Sequence, residues 1–592
     1  MLTLLLYIQS HSPLPEDVSA NRMRETLRAL CSSSRLAGSE EAKVGAAYAA
    51  KVFSESNLQV KRSIYEVHLP RQTKASVTLI GSPNISFNLE ETENPKDPFT
   101  QNELAPPMHG LTGTGKVHGK LVFAGRGTAD EFRLLQQDHT LKGSIALIRY
   151  GGLYRGLKVR NAAEAGCAGA LLYTDPEDDG EDRGKVLPNG PWRAPGTIQR
   201  GSVRMGNGDP LSPGWAALPG ARRLPLEEAK GIPPIPSIPI SWMNAQKLFG
   251  TKGRPAAPIS LEAFVEMEVQ QESSPVEIEN VLAVIPGSTD PDSWVIFGAH
   301  RDAWGRGAID NGTGTTVVLE TARILGAAIK RGWQPERSLI LATWDGEEWG
   351  LVGSTEWVEE NIGPLRSGGV AYVNLDVAVS GPSFAAWSSP GLRSAISAAC
   401  EEERLPHILP HSFPGGGSDH VPFLESAGME VGGFGFRGGQ GTYHSSWDTP
   451  WVVETFIDPD FAHHAQAARL AVRLATHLSK SSCRVDGAWA WSVAARDALR
   501  EIPGNDLTNL HALMDRLAAS AKAGDSTHPH RFLRLFMGTG TTGKLLLRRS
   551  AGYGSSWFPD LQTKNPEERT RALELLEARS QAAVAALGAS PR

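Results

Sequence analysis

The stretch Trp294-Val295-Ile296-Phe297-Gly298-Ala299-His300-Arg301-Asp302 decides the fold, because a short apolar run leads directly into residues that can bind a metal. Apolar runs of similar length recur at Val281–Ile285, Ser338–Thr343 and Val370–Leu375, and Thr316–Lys330 has a helical pattern. Strands that alternate with helices are typical of an α/β sheet covered by helices on both faces. Residues 281–478 are therefore predicted to form such a sheet.

Residues that can bind a metal or carry a proton follow these predicted strands. Open α/β sheets gather their sites at strand ends, so we expect these side chains to meet. Each one alone has a structural explanation: a His-x-Asp pair can be hydrogen-bonded, adjacent glutamates can form a solvated turn, and an aspartate can cap a helix. Their shared placement favours a site formed by His300, Asp310, Glu347, Glu348, Asp376, Tyr443 and His444.

The motifs Gly298–Trp304, Ile309-Asp310 and Trp344–Trp357 resemble glutamate carboxypeptidase II and its relatives. The resemblance extends over nearly the whole chain and implies a di-zinc exopeptidase-type α/β protease domain made of residues 15–64 and 279–480. It also implies an inserted β-rich protease-associated (apical) domain at 65–278 and a C-terminal helical dimerisation domain at 481–592. The chain's own patterns agree, since residues 17–57 and those after Ser482 read as helical and the insertion is rich in short β-type runs and turns.

The resemblance implies a role for each residue of the site. His300 and Asp376 would hold one zinc ion, Glu348 and His444 the other, and Asp310 would bridge them. Glu347 becomes the general base, which takes a proton from water and passes it to the leaving amine. Two further residues would assist: Asp302 by accepting a hydrogen bond from the far nitrogen of His300, and Tyr443 by binding the tetrahedral intermediate.

The family also carries a structural calcium ion near the apical junction. The positions that match its ligands are Ser212, Trp215, Glu356 and Glu359. The first two differ in side chain from the expected Thr and Tyr, but backbone carbonyls also bind calcium. The alternative is that Glu356 and Glu359 are surface charges of a helix.

Specificity is where the sequence departs from the family. Arg155 and Tyr553 match residues that hold a C-terminal glutamate, whereas Ser202 stands at the expected asparagine and Gly552 at the expected lysine. The segment Gly433–Phe436 replaces a basic one, and its phenylalanines would suit a neutral residue at the cleavage site. A carboxypeptidase is slightly favoured; the alternatives are an aminopeptidase acting on neutral N-terminal residues and a noncatalytic protein like the transferrin receptor.

The glycine-rich stretch Phe413–His420 does not continue into the Lys-Ser/Thr pair of a phosphate-binding loop. We therefore expect it to form a wall of the pocket. His420 is expected to have a structural role rather than to be a further metal ligand.

Composition sets the outer bounds. At 592 residues the chain predicts two or three domains, and a net charge of −6 gives no basic surface for nucleic acid. Leu2–Ile8 is too short to cross a membrane, so no anchor is expected within this chain, while the resemblance suggests a membrane-associated or extracellular homodimer acting on peptides. The tripeptide Asn84-Ile85-Ser86 could carry a glycan, and the four cysteines show no CxxC spacing.

Overall fold

The computed structural model describes residues 12–101, 105–407, 413–439, 441–483, 485, 487–523, 547–550, 554–557, 561 and 566–588. Tyr553 and the apolar start Leu2–Ile8 lie outside the described residues. Within them, no helix is both long enough and apolar enough to cross a bilayer. Asn84 lies in an exposed turn, where its side-chain oxygen accepts a hydrogen bond from the backbone N–H of Gly81 at 3.0 Å.

The strands of the described residues are numbered in chain order, and the helices are named by their first and last residues. The strands are β1 Gln59–His68, β2 Arg71–Ile80, β3 Ile85–Ser86, β4 His109–Gly110, β5 Gly115–Phe123, β6 Ile145–Arg149, β7 Gly169–Tyr173, β8 Gly201–Ser202, β9 Ser237–Ile240, β10 Ile259–Glu272, β11 Pro275–Ile285, β12 Asp290–His300, β13 Arg337–Trp344, β14 Gly369–Asn374, β15 Ser383–Ser388, β16 Glu430–Arg437, β17 Leu547–Ser550 and β18 Gly554–Trp557. The longer helices are Ala20–Leu30, Glu40–Glu55, Ala129–Asp138, Arg155–Glu164, Trp242–Phe249, Thr313–Lys330, Val352–Glu360, Ile362–Gly368, Arg393–Glu402, Ala462–Leu478, Gly487–Arg500, Thr508–Ala523 and Pro566–Gly588.

One seven-stranded sheet, which we call the protease sheet, has the order β1-β11-β13-β12-β14-β16-β15. Its strands β13, β12, β14 and β16 are mutually parallel, and antiparallel pairs complete both edges. Along β12, Val295 and Phe297 pack into one hydrophobic layer and Ile296 into the other, so both faces are covered. The predicted α/β sheet is confirmed.

The two predicted N-terminal helices pack on one face of this sheet. Each begins at a serine whose side chain accepts a backbone N–H of the first turn, Ser19 from Arg22 and Ser39 from Ala42. Such caps contribute about 1 kcal/mol each. The apolar faces of both helices pack against helix Thr313–Lys330, which lies in the same layer.

The apical insertion has its own seven-stranded sheet, in the order β3-β2-β10-β5-β6-β7-β9. The antiparallel pair β1/β11 of the protease sheet continues as the pair β2/β10 of the apical sheet, with two residues between the strands on each side. The change of sheet lies at residues 69–70 and 273–274, a few residues inside the predicted boundaries of 64/65 and 278/279. The register explains this, because His68 still pairs with Pro275 in the protease sheet.

The C-terminal region is mainly helical, as its sequence predicts. The helices Gly487–Arg500, Thr508–Ala523 and Pro566–Gly588 pack in sequence, the second on the first and the third on the second. Trp491 of the first is fully buried and donates a 2.8 Å hydrogen bond from Nε1 to Oε1 of Glu430 in β16. This bond attaches the helical region to the protease sheet. The small antiparallel pair β17/β18 was not predicted.

Candidate metal centre

Four parallel strands bring the predicted ligands to one edge of the protease sheet. His300 ends β12, Asp376 follows β14 by two residues, and Glu347 and Glu348 form a single helical turn shortly after β13. His444 lies in the loop after β16, while Asp310 lies in the turn Ala308–Gly312 that leads into helix Thr313–Lys330. Since the carboxyl ends of parallel strands share an edge, the convergence follows from the topology.

The ligand atoms form two groups that share one carboxylate. Nε2 of His300 lies 3.2 Å from Oδ1 of Asp310 and 3.3 Å from Oδ1 of Asp376. Nε2 of His444 lies 3.2 Å from Oδ2 of Asp310 and 2.9 Å from Oε2 of Glu348. Each oxygen of Asp310 therefore faces a different histidine, and each group has the size and composition of a metal site.

The donor set fits zinc. Imidazole nitrogen and carboxylate oxygen are common zinc ligands, and the second oxygen of Glu348, Oε1, is buried without a hydrogen-bond partner among the described residues. Burial also raises the pKa of the Glu348 carboxyl, because an ionised carboxylate loses its hydration there. A divalent cation between these side chains would compensate both costs.

Backbone carbonyls orient the two histidines. Nδ1 of His300 lies 3.0 Å from the carbonyl oxygen of Asp302, and Nδ1 of His444 lies 3.1 Å from the carbonyl oxygen of Arg200. Both bonds require a protonated Nδ1, which leaves the Nε2 lone pair directed at the carboxylates. The arrangement suits metal binding through Nε2 in both rings.

The carboxylate of Asp302 has a different role from the one predicted. It lies 3.6 Å from Nδ1 of His300, beyond hydrogen-bond distance, and accepts instead the backbone N–H groups of Glu347 at 3.0 Å and Glu348 at 3.2 Å. The carbonyl of the same residue takes the imidazole bond. Asp302 thus connects His300 with the turn that carries both glutamates.

Glu347 stands beside the ligand groups rather than in them. Its Oε2 lies 3.9 Å from Nε2 of His300, and the residue is only 8% exposed. Burial raises the pKa of the Glu347 carboxyl well above its usual range, and the neighbouring carboxylates Asp376 and Asp419 raise it further. A carboxyl with a raised pKa near the metal ligands has the properties of a proton carrier.

Asp448 and Asn311 hold the shared aspartate in place. The carboxylate of Asp448 accepts the backbone N–H groups of Ile309 at 2.8 Å and Asp310 at 3.0 Å. The side chain of Asn311 accepts the N–H of Val377 at 3.0 Å, next to the ligand Asp376. The sequence analysis did not select Asp448, because nothing local to it distinguishes it from a surface aspartate.

Arg155 and Tyr443 lie at the same site. Nη2 of Arg155 donates to the hydroxyl of Tyr443 at 3.2 Å and lies 3.5 Å from Nδ1 of His444, while Nη1 lies 3.5 Å from the carbonyl oxygen of Ser202. The Tyr443 and His444 rings stack at 3.8 Å between centroids. A buried guanidinium therefore lies beside the metal ligands, as the sequence predicted. The second matched residue, Tyr553, lies outside the described residues.

The expectation that Phe434 and Phe436 contact a neutral residue at the cleavage site is wrong. They are 1% and 2% exposed and belong to the hydrophobic core, where Phe436 stacks on His463 at 4.5 Å, so neither ring is available as a pocket wall. The next residue, Arg437, reaches the site instead and donates from Nη1 and Nη2 to the carbonyl oxygen of Asp376, both at 3.3 Å. The sequence did not show that this segment is an inner strand of the sheet, buried on both faces from Glu430 to Phe436.

In the glycine-rich loop, Nε2 of His420 lies 2.9 Å from the carbonyl oxygen of Gly415, which agrees with the predicted structural role. Asp419, which the sequence analysis did not select, is buried, and its Oδ1 accepts a 2.5 Å hydrogen bond from the hydroxyl of Ser354. Burial raises the pKa of Asp419 to about 7.

Glu356 and Glu359, two of the four predicted calcium positions, bind the loop at residues 209–217 that contains the other two, Ser212 and Trp215. Glu356 accepts the backbone N–H of Asp209 at 2.7 Å and of Ala217 at 2.6 Å, and Glu359 accepts that of Gly214 at 3.0 Å. Oε2 of Glu359 is buried with no partner among the described residues, an arrangement that would suit a cation. Burial raises the pKa of Glu356 to about 8 and that of Glu359 to about 7.

The side chains of Ser212 and Trp215 are engaged elsewhere. The hydroxyl of Ser212 donates to Oδ2 of Asp209 at 3.0 Å, and Nε1 of Trp215 donates to the carbonyl of Arg222 at 2.8 Å. Any contribution of these two residues to a cation site would come from their carbonyl groups.

Comparison with known proteins identifies relatives over most of the chain. A family model described as peptidase family M28 matches residues 280–472, and one described as PA domain matches residues 116–208. A probable glutamate carboxypeptidase LAMP1 of Arabidopsis thaliana is 36% identical over 483 residues, which is 76% of this chain and 70% of that protein. Aminopeptidase NAALADL1 of Rattus norvegicus is 33% identical over 539 residues, 78% of this chain and 71% of that protein.

Solved structures show the same fold. BSAP, a zinc aminopeptidase from Bacillus subtilis, has a TM-score of 0.52 at 20% identity and matches over 78% of this chain and 96% of its own. A peptidase M28 precursor from Shewanella amazonensis SB2B has a TM-score of 0.53 at 19% identity, over 82% and 97% of the two chains.

Proposed function

The chain belongs to peptidase family M28, whose members are zinc metallo-exopeptidases, and we propose that it uses two zinc ions to release the C-terminal residue of peptides. The observation that carries the two-zinc proposal is the sharing of Asp310 between two ligand groups. In this proposal His300 and Asp376 hold one ion, Glu348 and His444 the other, and Asp310 bridges them.

When bound, two zinc ions lower the pKa of a water molecule and polarise the scissile carbonyl group. Glu347 takes the proton from that water and delivers it to the leaving amine. Its position supports this role, because its carboxyl group lies beside the ligand groups without belonging to either, with Oε2 3.9 Å from Nε2 of His300. The carbonyl groups of Asp302 and Arg200 keep both imidazoles in the tautomer that leaves Nε2 free to bind.

Tyr443 donates a hydrogen bond to the oxygen that gains negative charge as the carbonyl carbon becomes tetrahedral. Its hydroxyl already accepts a hydrogen bond from Arg155, so its own proton can point away from the guanidinium. A donor placed where charge develops lowers the barrier more than one that binds the ground state.

The carboxypeptidase preference rests on Arg155. A buried guanidinium beside the metal ligands can make charge-assisted hydrogen bonds to the carboxylate at a peptide C-terminus, and it has no favourable interaction with a free α-amino group. The second candidate is an aminopeptidase, which the similarity to aminopeptidase NAALADL1 favours. Because Phe434 and Phe436 are core residues, they no longer add support to it.

We also propose a structural calcium ion between the loop at residues 209–217 and helix Val352–Glu360. Support comes from the unpartnered Oε2 of Glu359 and from the buried carboxylate of Glu356 beside it. The ion would join the apical insertion to the protease sheet, since the loop belongs to the former and the helix packs on the latter.

The test combines metal analysis with peptides blocked at one end. Purified protein is expected to hold two zinc ions per chain and to cleave N-acetylated dipeptides that have a free carboxylate, but not the corresponding C-terminal amides. Cleavage restricted to peptides with a free amine would make the protein an aminopeptidase. Full zinc occupancy without cleavage of either series would contradict the exopeptidase proposal.

A further inference from the structure

Two arginines of the apical insertion bind the backbone of the loop that carries Tyr443 and His444. Nη2 of Arg193 donates to the carbonyl oxygen of Tyr443 at 2.7 Å, and the backbone N–H of Arg200 donates to the carbonyl oxygen of His444 at 3.1 Å. His444 has a φ of 58°, a left-handed conformation that a non-glycine residue adopts at a cost and that needs support from its surroundings. That support comes from the apical side of the interface.

Arg200 is itself held by a buried ion pair. Its side chain is 0% exposed and its Nη2 lies 2.7 Å from Oε2 of Glu91, which is also 0% exposed. Glu91 further accepts the backbone N–H groups of Ile198 at 2.8 Å and Ser446 at 3.0 Å. The pair therefore connects the chain just before Arg200 with the chain just after His444.

A buried ion pair is weak evidence of a stabilising function, because desolvation offsets most of its attraction. In this protein, however, Glu91 of the pair also accepts backbone N–H groups from both stretches of chain that meet here: from Ile198, just before Arg200, and from Ser446, just after His444. The carbonyl oxygen of Arg200 accepts from Nδ1 of His444, so the position of this carbonyl sets the direction of Nε2.

Among the described residues, the other ligand group makes no direct hydrogen bond to the apical insertion, although the shared Asp310 is also held by Asp448 in the loop that carries His444. His300, Asp310 and Asp376 all belong to the protease segment, and the carbonyl that orients His300 is that of Asp302 in the same segment. The two groups thus differ in what keeps them assembled.

We propose that the Glu91–Arg200 pair is a positioning element for one metal ion only, the ion held by Asp310, Glu348 and His444. The proposal rests on the two-metal function proposed above and adds that the apical insertion completes one half of the metal centre. Loss of groups that orient a ligand typically lowers metal affinity about 10- to 100-fold. We expect a decrease of that size for one ion and none for the other.

The experiment titrates metal-free full-length protein with cobalt(II) and follows the visible absorption of each bound ion. Glu91→Gln removes the charge and keeps one oxygen, which can accept one of the two backbone N–H groups that now bind different oxygens of Glu91. Arg200→Gln removes the guanidinium. His444→Ala marks the spectrum of protein that lacks the affected site. The control is Arg149→Gln, at the end of β6, which breaks a partly buried apical ion pair: Nη2 of Arg149 lies 2.7 Å from Oδ2 of Asp178, and the two side chains are 9% and 32% exposed.

Wild-type protein and the Arg149→Gln control should bind two cobalt ions tightly. Both test variants should keep one ion at wild-type affinity, with the spectrum of His444→Ala protein, and bind the second about 10- to 100-fold more weakly. Thermal unfolding checks that the variants are folded, and Glu91→Gln carries the test if Arg200→Gln is not.

Unchanged affinity for both ions in folded variants would overturn the inference and leave the two-metal proposal intact. Equal weakening of both ions would also overturn it, because it would indicate a general loosening. A wild-type chain that binds only one ion tightly would contradict the two-metal proposal, and the inference with it.

Discussion

Two adjacent glutamates should respond in opposite ways to the same substitution. Glu347 and Glu348 are both buried, at 8% and 7% exposure, but their carboxylates face different partners. Oε2 of Glu348 lies 2.9 Å from Nε2 of the ligand His444, whereas the contact of Glu347 with a ligand histidine, His300, spans 3.9 Å. Glu347→Gln should therefore keep both zinc ions, and Glu348→Gln should lose one.

The expected size of the Glu347→Gln effect follows from the proton transfer it removes. General acid–base catalysis contributes about 100- to 10,000-fold, which corresponds to about 2.7 to 5.4 kcal/mol of activation free energy. The amide has nearly the same shape as the carboxyl group, so peptide binding should be unchanged and the loss should fall on kcat.

The assay measures zinc by mass spectrometry of dialysed protein and kcat and KM on an N-acetylated dipeptide. Glu348→Gln is the matched control, since it has the same chemistry one residue away. A Glu347→Gln protein that keeps more than about a tenth of wild-type kcat would refute the general-base assignment. Loss of zinc from that variant, or full zinc content in Glu348→Gln protein, would refute the division of roles between the two residues.

Three further outcomes follow from the site. Tyr443→Phe should lower kcat about 100-fold with zinc content unchanged, as expected for loss of one donor to developing charge, and an unaltered kcat would remove Tyr443 from the mechanism. Arg155→Gln should lower kcat/KM about 10- to 100-fold for peptides with a free C-terminal carboxylate, the value of a charge-assisted hydrogen bond, and an equal loss on C-terminal amides would contradict its role. Calcium should raise the unfolding temperature more at pH 8 than at pH 6. Burial raises the pKa of Glu356 to about 8 and that of Glu359 to about 7, above their ordinary value of 4.5. The calcium-free fold therefore loses stability as the pH rises from about 5 to 8, because both groups must ionise while buried. A bound calcium ion would restore that stability. Equal shifts at both pH values, or a shift that persists in Glu359→Gln protein, would count against the calcium site.

The sequence was sufficient to predict which residues meet at the metal centre. His300, Glu348 and Asp376 each follow an apolar run that predicts a strand. Because the ends of parallel strands share an edge of the sheet, the positions of these runs also predict that the three side chains lie close together. Apolar patterns also predicted the α/β sheet itself and the helices within residues 17–57 that precede it.

The contacts that orient these ligands could not be predicted in this way. Glu91 accepts the N–H of Ser446 across 355 positions of sequence, and Asp448 accepts that of Asp310 across 138. No periodicity in the sequence reports such pairs, because the first depends on how the apical insertion docks on the protease segment and the second on how two distant loops of the protease segment meet. The carbonyl oxygen of Asp302 was missed for a related reason: sequence patterns concern side chains, and every residue has a carbonyl group.

Burial was the other gap. The sequence analysis assigned Gly433–Phe436 to the substrate pocket, whereas the structure places it in β16, where every residue from Glu430 to Phe436 is buried. Likewise the apical insertion begins and ends a few residues inside its predicted limits of 65 and 278, because the pairing of β1 with β11 continues to His68 and Pro275.

That pairing means that the apical insertion leaves the protease sheet and returns to it at one point. Two residues separate β1 from β2, and two separate β10 from β11. The two ends of the roughly 200-residue insertion therefore lie side by side, as the two ends of a hairpin turn do. The insertion does more than close the strands, because it also hydrogen-bonds β1: the carbonyl oxygen of Ala217 accepts the N–H of Glu66 at 2.8 Å and the carboxylate of Asp209 accepts that of His68 at 2.7 Å. Through Arg155 and Arg200 it also contacts His444, so this particular insertion matters both at the sheet and at the candidate site.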